Sequence, residues 1–242
     1  MKIGGFQKFS LLDYPGQLAA IVFCQGCNFR CPYCHNPQLV DPKRYTKPLR
    51  NSRVMDFLSR RRGKLGAVVI SGGEPTFQPD LVECVSLLKS WGYLVKIDTN
   101  GSFPETVRAL TGRNLVDYWA MDLKAPPDLY PLLSRNSVPV ENILESMRLI
   151  RSGGRPYEFR TTFFELLFTW EDIARIQNLL EPGDKYVLQE CRYSGTLENL
   201  RITAPQDGKD ELTFLHLQDN PACQSLLRWG DRHRVNIEIR SL

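Results

Sequence analysis

The sequence predicts an α/β fold, a partial (βα)6 barrel of the TIM type with parallel strands. Short apolar runs alternate along the chain with longer segments of helical periodicity, a pattern typical of repeated βα units around a parallel sheet. Gly, Pro, Asn and Asp punctuate the strand ends, as turns require. Six such units are present, whereas eight close a full barrel.

The predicted strands are apolar runs of five to seven residues. They span residues 18–23, 66–70, 94–98, 116–121, 157–163 and 185–189, with a terminal strand at 235–239. The predicted helices fall near 51–62, 79–91, 104–112, 140–152, 171–181 and 219–229. We interpret residues 4–17 as a short hairpin or cover before the first strand. No linker or repeat divides the sequence, so we expect one domain over 1–242.

The composition is that of a globular, mildly basic protein. The 242 residues are 42% hydrophobic and carry a formal net charge of +4. We interpret the one basic run, Arg60-Arg61-Arg62, as a solvated helix end, so nucleic acid is not an expected partner. No stretch approaches the ~18 apolar residues of a membrane span, and the N-terminus lacks the apolar segment of a signal peptide. We expect a cytoplasmic protein without a membrane partner.

Three of the seven cysteines form a compact cluster, Cys27, Cys31 and Cys34, with the spacing C-x3-C-x2-C. The odd cysteine count argues against a disulfide framework. Thiolates are ligands of iron–sulfur clusters, and three of them leave one iron of a [4Fe–4S] cluster without a protein ligand. The alternative is a structural zinc loop, with Cys24 or His35 as the fourth ligand. Spacing alone favours the iron–sulfur cluster and leaves the zinc site open.

Other polar motifs fall at the ends of predicted strands. They are Ser-Gly-Gly-Glu-Pro at 71–75, Asp-Thr-Asn-Gly at 98–101, Asp-Leu-Lys at 122–124, and Arg160 within the fifth strand. In barrels the active site lies at the carboxyl ends of the strands, so motifs that are distant in sequence converge there. This shared position predicts a single site.

Each motif also has a simpler structural explanation. The paired glycines can form an ordinary β-to-α turn, and Asn100-Gly101 can close a strand. Asp122 and Lys124 can form a surface ion pair of little energetic value. Arg160 can reach solvent from an edge strand, although a buried guanidinium would require an anionic or carbonyl partner.

The cysteine motif, with Tyr33 before its last cysteine, resembles the signature of the radical S-adenosylmethionine (SAM) enzymes. In that superfamily the three cysteines hold a [4Fe–4S] cluster, and SAM chelates the open iron. The run Cys34-His35-Asn36-Pro37 resembles more specifically the activating enzymes of glycyl-radical proteins, especially those of anaerobic ribonucleotide reductase. The resemblance extends over nearly the whole chain.

The resemblance implies a role for each motif at the SAM site. Gly72, Gly73 and Glu74 match the motif that contacts the SAM amino group, and Tyr33 matches the residue whose backbone meets the adenine. Lys124 would pair with the SAM carboxylate. Asp98, Thr99 and Asp122 would help to hold a monovalent cation beside that carboxylate, and Asn100 belongs to the same cofactor-binding loop. Arg160 would lie near SAM or the substrate backbone. Gln189, at the end of the sixth strand, is expected to contact the nucleoside.

The resemblance also implies a reaction. A one-electron donor such as flavodoxin or ferredoxin reduces the cluster, and SAM is cleaved to methionine and a 5′-deoxyadenosyl radical. This radical then abstracts hydrogen from the Cα of a glycine in a partner enzyme, expected to be anaerobic ribonucleoside-triphosphate reductase. A partial barrel would leave a lateral opening for the glycine loop. The alternatives are a radical SAM enzyme for a small molecule and a non-catalytic binding module stabilised by zinc or a cluster.

Overall fold

The computed structural model contains one eight-stranded sheet flanked by helices, and it describes residues 1–136, 138–164, 167–191, 195–198, 217 and 220–240. The strands follow one another across the sheet in chain order. They are Ile3–Ser10 (β1), Ala19–Cys24 (β2), Ala67–Gly72 (β3), Leu94–Thr99 (β4), Tyr118–Asp122 (β5), Tyr157–Phe163 (β6), Lys185–Glu190 (β7) and Asn236–Arg240 (β8). Neighbouring strands from β2 to β8 are parallel, which confirms the predicted fold class.

Helices connect each parallel strand to the next. The α-helices are Pro37–Val40 (α1), Asn51–Arg60 (α2), Leu81–Ser90 (α3), Pro104–Gly112 (α4), Tyr130–Ser134 (α5), Val140–Ser152 (α6), Trp170–Gln177 (α7) and Pro221–His233 (α8). Short 3-10 turns lie at Pro42–Arg44, Pro75–Phe77 and Pro127–Leu129. The longer helices α2, α3, α4, α6, α7 and α8 supply six crossovers, as the sequence predicts. No helix in the described ranges is long and apolar enough to cross a membrane.

Local sequence signals set the helix boundaries. At α7, the Thr169 hydroxyl accepts a hydrogen bond from the Asp172 N–H, and the Asp172 carboxylate accepts one from the Thr169 N–H. This reciprocal cap satisfies amide groups that a helix start leaves without partners. At α8, the Asn220 side chain caps the helix, and Pro221 occupies the first turn, where its missing N–H costs nothing.

The N-terminal segment differs from the expected hairpin. Residues 3–10 form the edge strand β1, which pairs antiparallel with β2 and places Phe6 opposite Val22. The loop after β1 carries Tyr14 against the inner face of the sheet, where it packs with Ala19 and Ala67. The segment therefore does cover the barrel, at the amino end of the parallel strands, but through one added strand and a loop.

Strand alternation separates two apolar layers. Outward-facing residues such as Val68 and Ile70 belong to a large core beneath the helices. Inward-facing residues such as Ile21, Val69 and Tyr118 form a smaller cluster inside the barrel. Because this inner cluster is confined to one side of the barrel, polar and charged side chains occupy the rest of the interior.

Candidate active site

The residues singled out from the sequence line one cavity of about 200 Å³ at the carboxyl ends of the parallel strands. The lining includes all of the predicted site residues, namely Cys27, Cys31, Tyr33, Cys34, Gly72, Gly73, Glu74, Asp98, Thr99, Asn100, Asp122, Lys124, Arg160 and Gln189. Parallel strands bring their carboxyl ends to the same edge of a sheet, which explains how motifs more than 160 residues apart meet.

Hydrogen bonds hold the cysteine loop in place above β2. The Cys34 N–H donates to the Cys31 carbonyl at 3.0 Å, and the Phe29 N–H donates to the Cys27 sulfur at 3.3 Å. The Arg30 guanidinium donates to the carbonyls of Cys27 and Phe29, each at 2.7 Å. These bonds fix the backbone while the three thiols line the cavity.

The chemistry of the three thiols fits an iron–sulfur cluster. Burial raises the pKa of Cys27 and of Cys34, and it raises the pKa of Cys31 to about 11 despite the nearby Lys124 charge. Without metal the thiols therefore stay protonated at neutral pH, and binding iron would release their protons. No three His, Cys, Asp or Glu side chains among the described residues are arranged to hold a single metal ion. A [4Fe–4S] cluster places its protein ligands on separate irons, so three thiols need not meet at one point.

Gly72 and Gly73 pack so closely against the loop behind them that neither position has room for a side chain. A Cβ on Gly72, whose φ is +107°, would lie 2.6 Å from the Cys24 nitrogen. One on Gly73 would lie 2.2 Å from the Gly26 carbonyl oxygen. The Gly73 N–H donates to the Cys24 carbonyl, and the Glu74 N–H to the Gly26 carbonyl, both at 2.8 Å. The glycines thus lock the 72–74 loop against the start of the cysteine loop.

Glu74 is a fully buried carboxyl group that joins two loops of the site. Its Oε1 accepts hydrogen bonds from the Thr76 N–H at 3.0 Å and from the Thr99 hydroxyl at 2.7 Å. Its Oε2 accepts one from the Asn100 N–H at 2.7 Å. Burial raises the pKa of Glu74, although the bonds from Thr76, Asn100 and Thr99 oppose that effect. The side chain holds the 72–75 loop in register with the 98–101 loop.

The 98–101 loop in turn contacts the cysteine loop. The Asn100 side-chain amide donates to the Asn28 side-chain oxygen at 3.0 Å and lies 4.0 Å from the Cys27 sulfur. The Asn28 amide donates to the Ser102 hydroxyl at 2.9 Å, and the Ser102 N–H donates back to the Asn100 oxygen at 3.0 Å. Three loops from three strands are therefore joined by hydrogen bonds behind one cysteine.

Ion pairs form the floor of the cavity. The Arg160 Nε donates to one oxygen of Asp122 at 2.9 Å, and the Lys124 Nζ meets the other at 2.8 Å. Burial alone would raise the pKa of Asp122, but the charges of Arg160 and Lys124 outweigh it and bring that pKa to about 2. Asp122 in turn holds the pKa of Lys124 well above its usual value, even though burial lowers it. All three groups are ionised at neutral pH.

The ion pairs of the floor form one connected network. Asp98 pairs with Lys96 at 2.8 Å and lies 3.6 Å from an Arg160 nitrogen. Lys96, Arg160 and Lys124 face the carboxylates of Asp98 and Asp122, and Arg160 also lies 3.9 Å from that of Glu158. Lys124 lines the cavity and pairs only with Asp122 among the described residues, so its ammonium can also bind an anionic group in the ligand.

Tyr33 and Gln189 also line the cavity. The Tyr33 ring is 3% exposed and packs near Phe164, and its hydroxyl donates weakly to the Lys124 carbonyl at 3.4 Å. The Gln189 amide donates to the Thr162 hydroxyl at 2.7 Å. The Tyr33 ring thus serves packing, which leaves its backbone as the part available to a ligand.

Three interior polar residues were not identified from the sequence. Thr162 lines the cavity, and Lys96 and Glu158 extend the charged network below it. Each lies two positions from a residue that was identified, either Asp98 or Arg160. Because side chains alternate between the two faces of a strand, this spacing could have found all three.

Comparison with known proteins identifies the family. The profile of the Radical SAM superfamily matches residues 21–181, more than half of the chain. A Methanocaldococcus jannaschii protein with the provisional name glycyl-radical enzyme activating enzyme is 36% identical, over 88% of this chain and 89% of its own length. The pyruvate formate-lyase-activating enzyme of Streptococcus mutans serotype c is 28% identical, over 82% of this chain and 74% of its own length.

Solved structures show the same fold. Streptococcus suis SuiB bound to S-adenosylmethionine matches with a TM-score of 0.65 and 13% identity, over 91% of this chain and 51% of that chain. The protein anSMEcpe with bound AdoMet matches with a TM-score of 0.60 and 13% identity, over 90% of this chain and 61% of that chain. The chain thus spans only about half to three fifths of these longer proteins, and the likeness concerns the fold.

The family match and the relatives agree with the site, in which three thiols, a glycine-lined loop and a charged floor surround one cavity. Membership implies a [4Fe–4S] cluster and SAM as cofactors. The chain belongs to the Radical SAM superfamily and is a radical SAM enzyme.

Proposed function

We propose that the protein generates a glycyl radical on a partner enzyme, and that this partner is an anaerobic ribonucleoside-triphosphate reductase. The observation that carries the proposal is the convergence of the three thiols, the glycine loop and the charged floor on one cavity. The similarity to proteins named as activating enzymes of glycyl-radical enzymes and of pyruvate formate-lyase supports the class of partner. The run from Cys34 to Pro37 supports the reductase in particular.

The proposal assigns the cluster and SAM to neighbouring parts of the cavity. Cys27, Cys31 and Cys34 would hold the [4Fe–4S] cluster, with Asn100 orienting the Cys27 sulfur. When bound, the reduced cluster would supply the one electron that SAM needs to yield the 5′-deoxyadenosyl radical, which removes hydrogen from a glycine Cα. The chain itself supplies binding, orientation and exclusion of water.

Backbone groups would hold the nucleoside and amino parts of SAM. The backbone of Gly72, Gly73 and Glu74 would accept a hydrogen bond from the amino group, because these residues line the cavity. The Tyr33 backbone would meet the adenine, and Gln189 the nucleoside. Glu74 is a positioning residue in this account, since its hydrogen bonds to Thr76, Thr99 and Asn100 occupy both of its oxygens.

The charged floor would bind the SAM carboxylate by an exchange of partners. Lys124 would turn from Asp122 to the carboxylate of SAM, while Arg160 keeps Asp122 ionised. The released oxygen of Asp122, together with Asp98 and Thr99, would then accept a monovalent cation. Before this exchange, protein cations already neutralise the carboxylates of Asp98 and Asp122.

The proposal also fixes the setting of the reaction. Residues 1–242 would act as one radical SAM domain in the cytoplasm, with flavodoxin or ferredoxin as the electron donor. The glycine loop of the partner would approach the cavity from the open side of the barrel, since β1 and β8 form the two edges of the sheet and are not joined to each other among the described residues.

Electron paramagnetic resonance tests the choice of partner. The reconstituted enzyme, SAM and dithionite are mixed without oxygen with anaerobic ribonucleotide reductase, with pyruvate formate-lyase, or with a reductase in which the radical glycine is alanine. We expect a glycyl-radical signal on the intact reductase and none on the alanine variant. A signal on pyruvate formate-lyase alone would reject the reductase but keep the activase, and no signal on either would reject the activase.

A further inference from the structure

A basic groove lies on the outside of the barrel, between β1 and α2. Its volume is about 1210 Å³, and it shares no lining residue with the catalytic cavity. One carboxylate, that of Asp56, faces seven cations in its lining, which are Lys8, Lys47, Arg50, Arg53, Arg60, Arg61 and Lys64. This local excess is larger than the net charge of +4 of the whole chain, so the remaining residues are on balance acidic.

The cations of the groove are available to a partner. All seven are exposed, and none forms an ion pair with a carboxylate in the described part of the chain. Lys8 and Arg61 lie over the Phe57 ring at 5.9 and 5.3 Å, and Phe6 meets the same ring edge-on at 5.3 Å. The groove therefore has an aromatic floor and a cationic rim. The cations of the rim repel one another, and an acidic surface would relieve this repulsion.

The upper end of the groove adjoins the cysteine loop. Ile3 on β1 pairs with Cys24 on one side and bridges Leu49 on the other. Two strand spacings, about 10 Å, therefore separate the backbones of Leu49 and Cys24. The Gln25 amide also donates to the Thr46 carbonyl at 2.9 Å, which ties the residue before Lys47 of the groove to a residue just before the first cluster cysteine.

We propose that this groove docks the acidic protein that delivers the electron, the class of carrier to which flavodoxins and ferredoxins belong. The inference rests on the proposed function, since reductive cleavage of SAM needs one electron from outside for each event. The donor is oxidised by one electron and the cluster is reduced by one, and no atom is transferred at the groove. Opposite charges would steer the donor to the face nearest the cysteine loop.

The test compares a protein donor with a small one. The variant carries Arg53→Glu and Arg60→Glu, two exposed changes on α2, in reconstituted enzyme. SAM cleavage is measured with reduced flavodoxin and, separately, with dithionite. We expect the flavodoxin-driven rate at low salt to fall at least about tenfold, the lower end of what electrostatic steering contributes, and the dithionite-driven rate to stay unchanged. Added salt should slow the wild type more than the variant.

A matched control carries the same change of charge elsewhere. Arg113→Glu with Arg228→Glu alters two exposed arginines outside the groove and should leave both rates at the wild-type level. If the control loses as much flavodoxin-driven activity as the groove variant, or if the groove variant loses none, the groove does not dock the donor. If both rates of the groove variant fall together, the flavodoxin-driven and dithionite-driven rates are compared in a variant with Arg53→Gln and Arg60→Gln, and that comparison decides the matter.

Two further outcomes separate the alternatives. Salt-sensitive binding of single-stranded RNA to the wild type, lost in the groove variant while its flavodoxin-driven rate stays normal, would assign the groove to nucleic acid and overturn the proposal. Absence of dithionite-driven SAM cleavage in the wild type would instead overturn the proposed function. The failure of the docking inference and the failure of the activity are therefore distinguishable.

Discussion

The two ends of the barrel interior contain similar charged residues in different arrangements. At the amino end of the strands, the 3%-exposed Glu158 meets Arg240 at 2.9 Å and Lys185 at 3.2 Å, and it accepts a hydrogen bond from the Tyr118 hydroxyl at 3.1 Å. At the carboxyl end, Lys124 and Arg160 share the carboxylate of Asp122, and Arg160 also lies 3.6 Å from Asp98, at the floor of an open cavity.

The comparison shows how position in the fold decides what an ion pair does. At the amino end, the buried carboxylate is surrounded by cations and bonded to Tyr118, against which Tyr14 packs, so these charges stabilise the barrel. At the carboxyl end, Lys124 and Arg160 line space that a ligand can enter. Barrel enzymes commonly divide stability and function between the two ends in this way.

The largest expected effect comes from removing a cluster ligand at the carboxyl end. Cys31→Ala should abolish cluster assembly and SAM cleavage while the far-UV circular dichroism spectrum stays that of the folded protein, because the thiol belongs to a loop above the sheet. Iron and sulfide content per chain is the measurement. Cys84→Ala, which changes a cysteine on α3 outside the cavity, is the control and should retain the cluster. SAM cleavage by the Cys31 variant at the wild-type rate would show that the ligand assignment is wrong.

Removing the lysine of the cavity floor should have the next largest effect. Lys124→Ala should weaken SAM binding by about 10- to 100-fold, the range for one lost bond to a charged group, with the cluster retained. Equilibrium binding of SAM to the reconstituted enzyme measures this change. Lys89→Ala, which breaks an ion pair with Asp117 outside the cavity, should leave the affinity unchanged. Equal SAM affinity in the Lys124 variant and the wild type would remove Lys124 from the site.

A smaller effect is expected when the link between two site loops is weakened. Both carboxylate oxygens of Glu74 accept hydrogen bonds. Glu74→Gln replaces one of these oxygens with an amide group that donates, so at least one N–H or O–H partner loses its acceptor. The free energy of unfolding should fall by about 1–3 kcal/mol. We also expect weaker SAM binding, since the loops move apart. The exposed change Glu105→Gln should alter neither quantity, and a Glu74 variant with unchanged SAM affinity would limit Glu74 to a structural role.

At the amino end, the expected effect is on stability alone. Burial raises the pKa of Glu158, but its bonds to Arg240 and the charges of Arg160 and Lys185 outweigh it and lower that pKa from 4.5 to about 2. The stabilisation is therefore complete above pH 4.5 and is lost as pH falls toward 2. Glu158→Gln should cost about 3 kcal/mol of unfolding free energy near pH 7 and weaken the acid dependence.

Urea unfolding at several pH values measures this effect, with Glu141→Gln on the surface of α6 as the control. SAM cleavage by the folded Glu158 variant should stay within about twofold of the wild type, because a structural ion pair contributes little to the reacting geometry. A large loss of cleavage in a variant that is still folded would contradict the division of roles between the two ends.

The sequence reveals the carboxyl end of the barrel far better than the rest of the interior. Apolar runs locate the strands, and the polar residues that follow them mark the strand ends, so Glu74, Asp98 and Asp122 could be assigned to one site without coordinates. These signals are local. They depend on a few consecutive residues and on the rule that parallel strands end together.

Features that depend on distant pairing were not accessible. The contact of Glu158 with Arg240 spans 82 residues and depends on the register of β6, β7 and β8. The strand β1 contains two glycines and mostly half-buried or exposed residues, so its edge position has no clear alternating pattern. The basic groove combines Lys8 with cations from residues 47 to 64, and the position of β1 beside β2 and its bridge to Leu49 bring them to one face.

The central claim is that the cavity at the carboxyl end performs reductive cleavage of SAM. The most direct measurement is formation of 5′-deoxyadenosine from SAM after anaerobic reconstitution with iron and sulfide and reduction with dithionite. We predict that the wild type and the Cys84→Ala variant form the nucleoside and that the Cys31→Ala variant does not. A wild-type enzyme that contains an intact reduced cluster and binds SAM, yet forms no 5′-deoxyadenosine, would contradict the account.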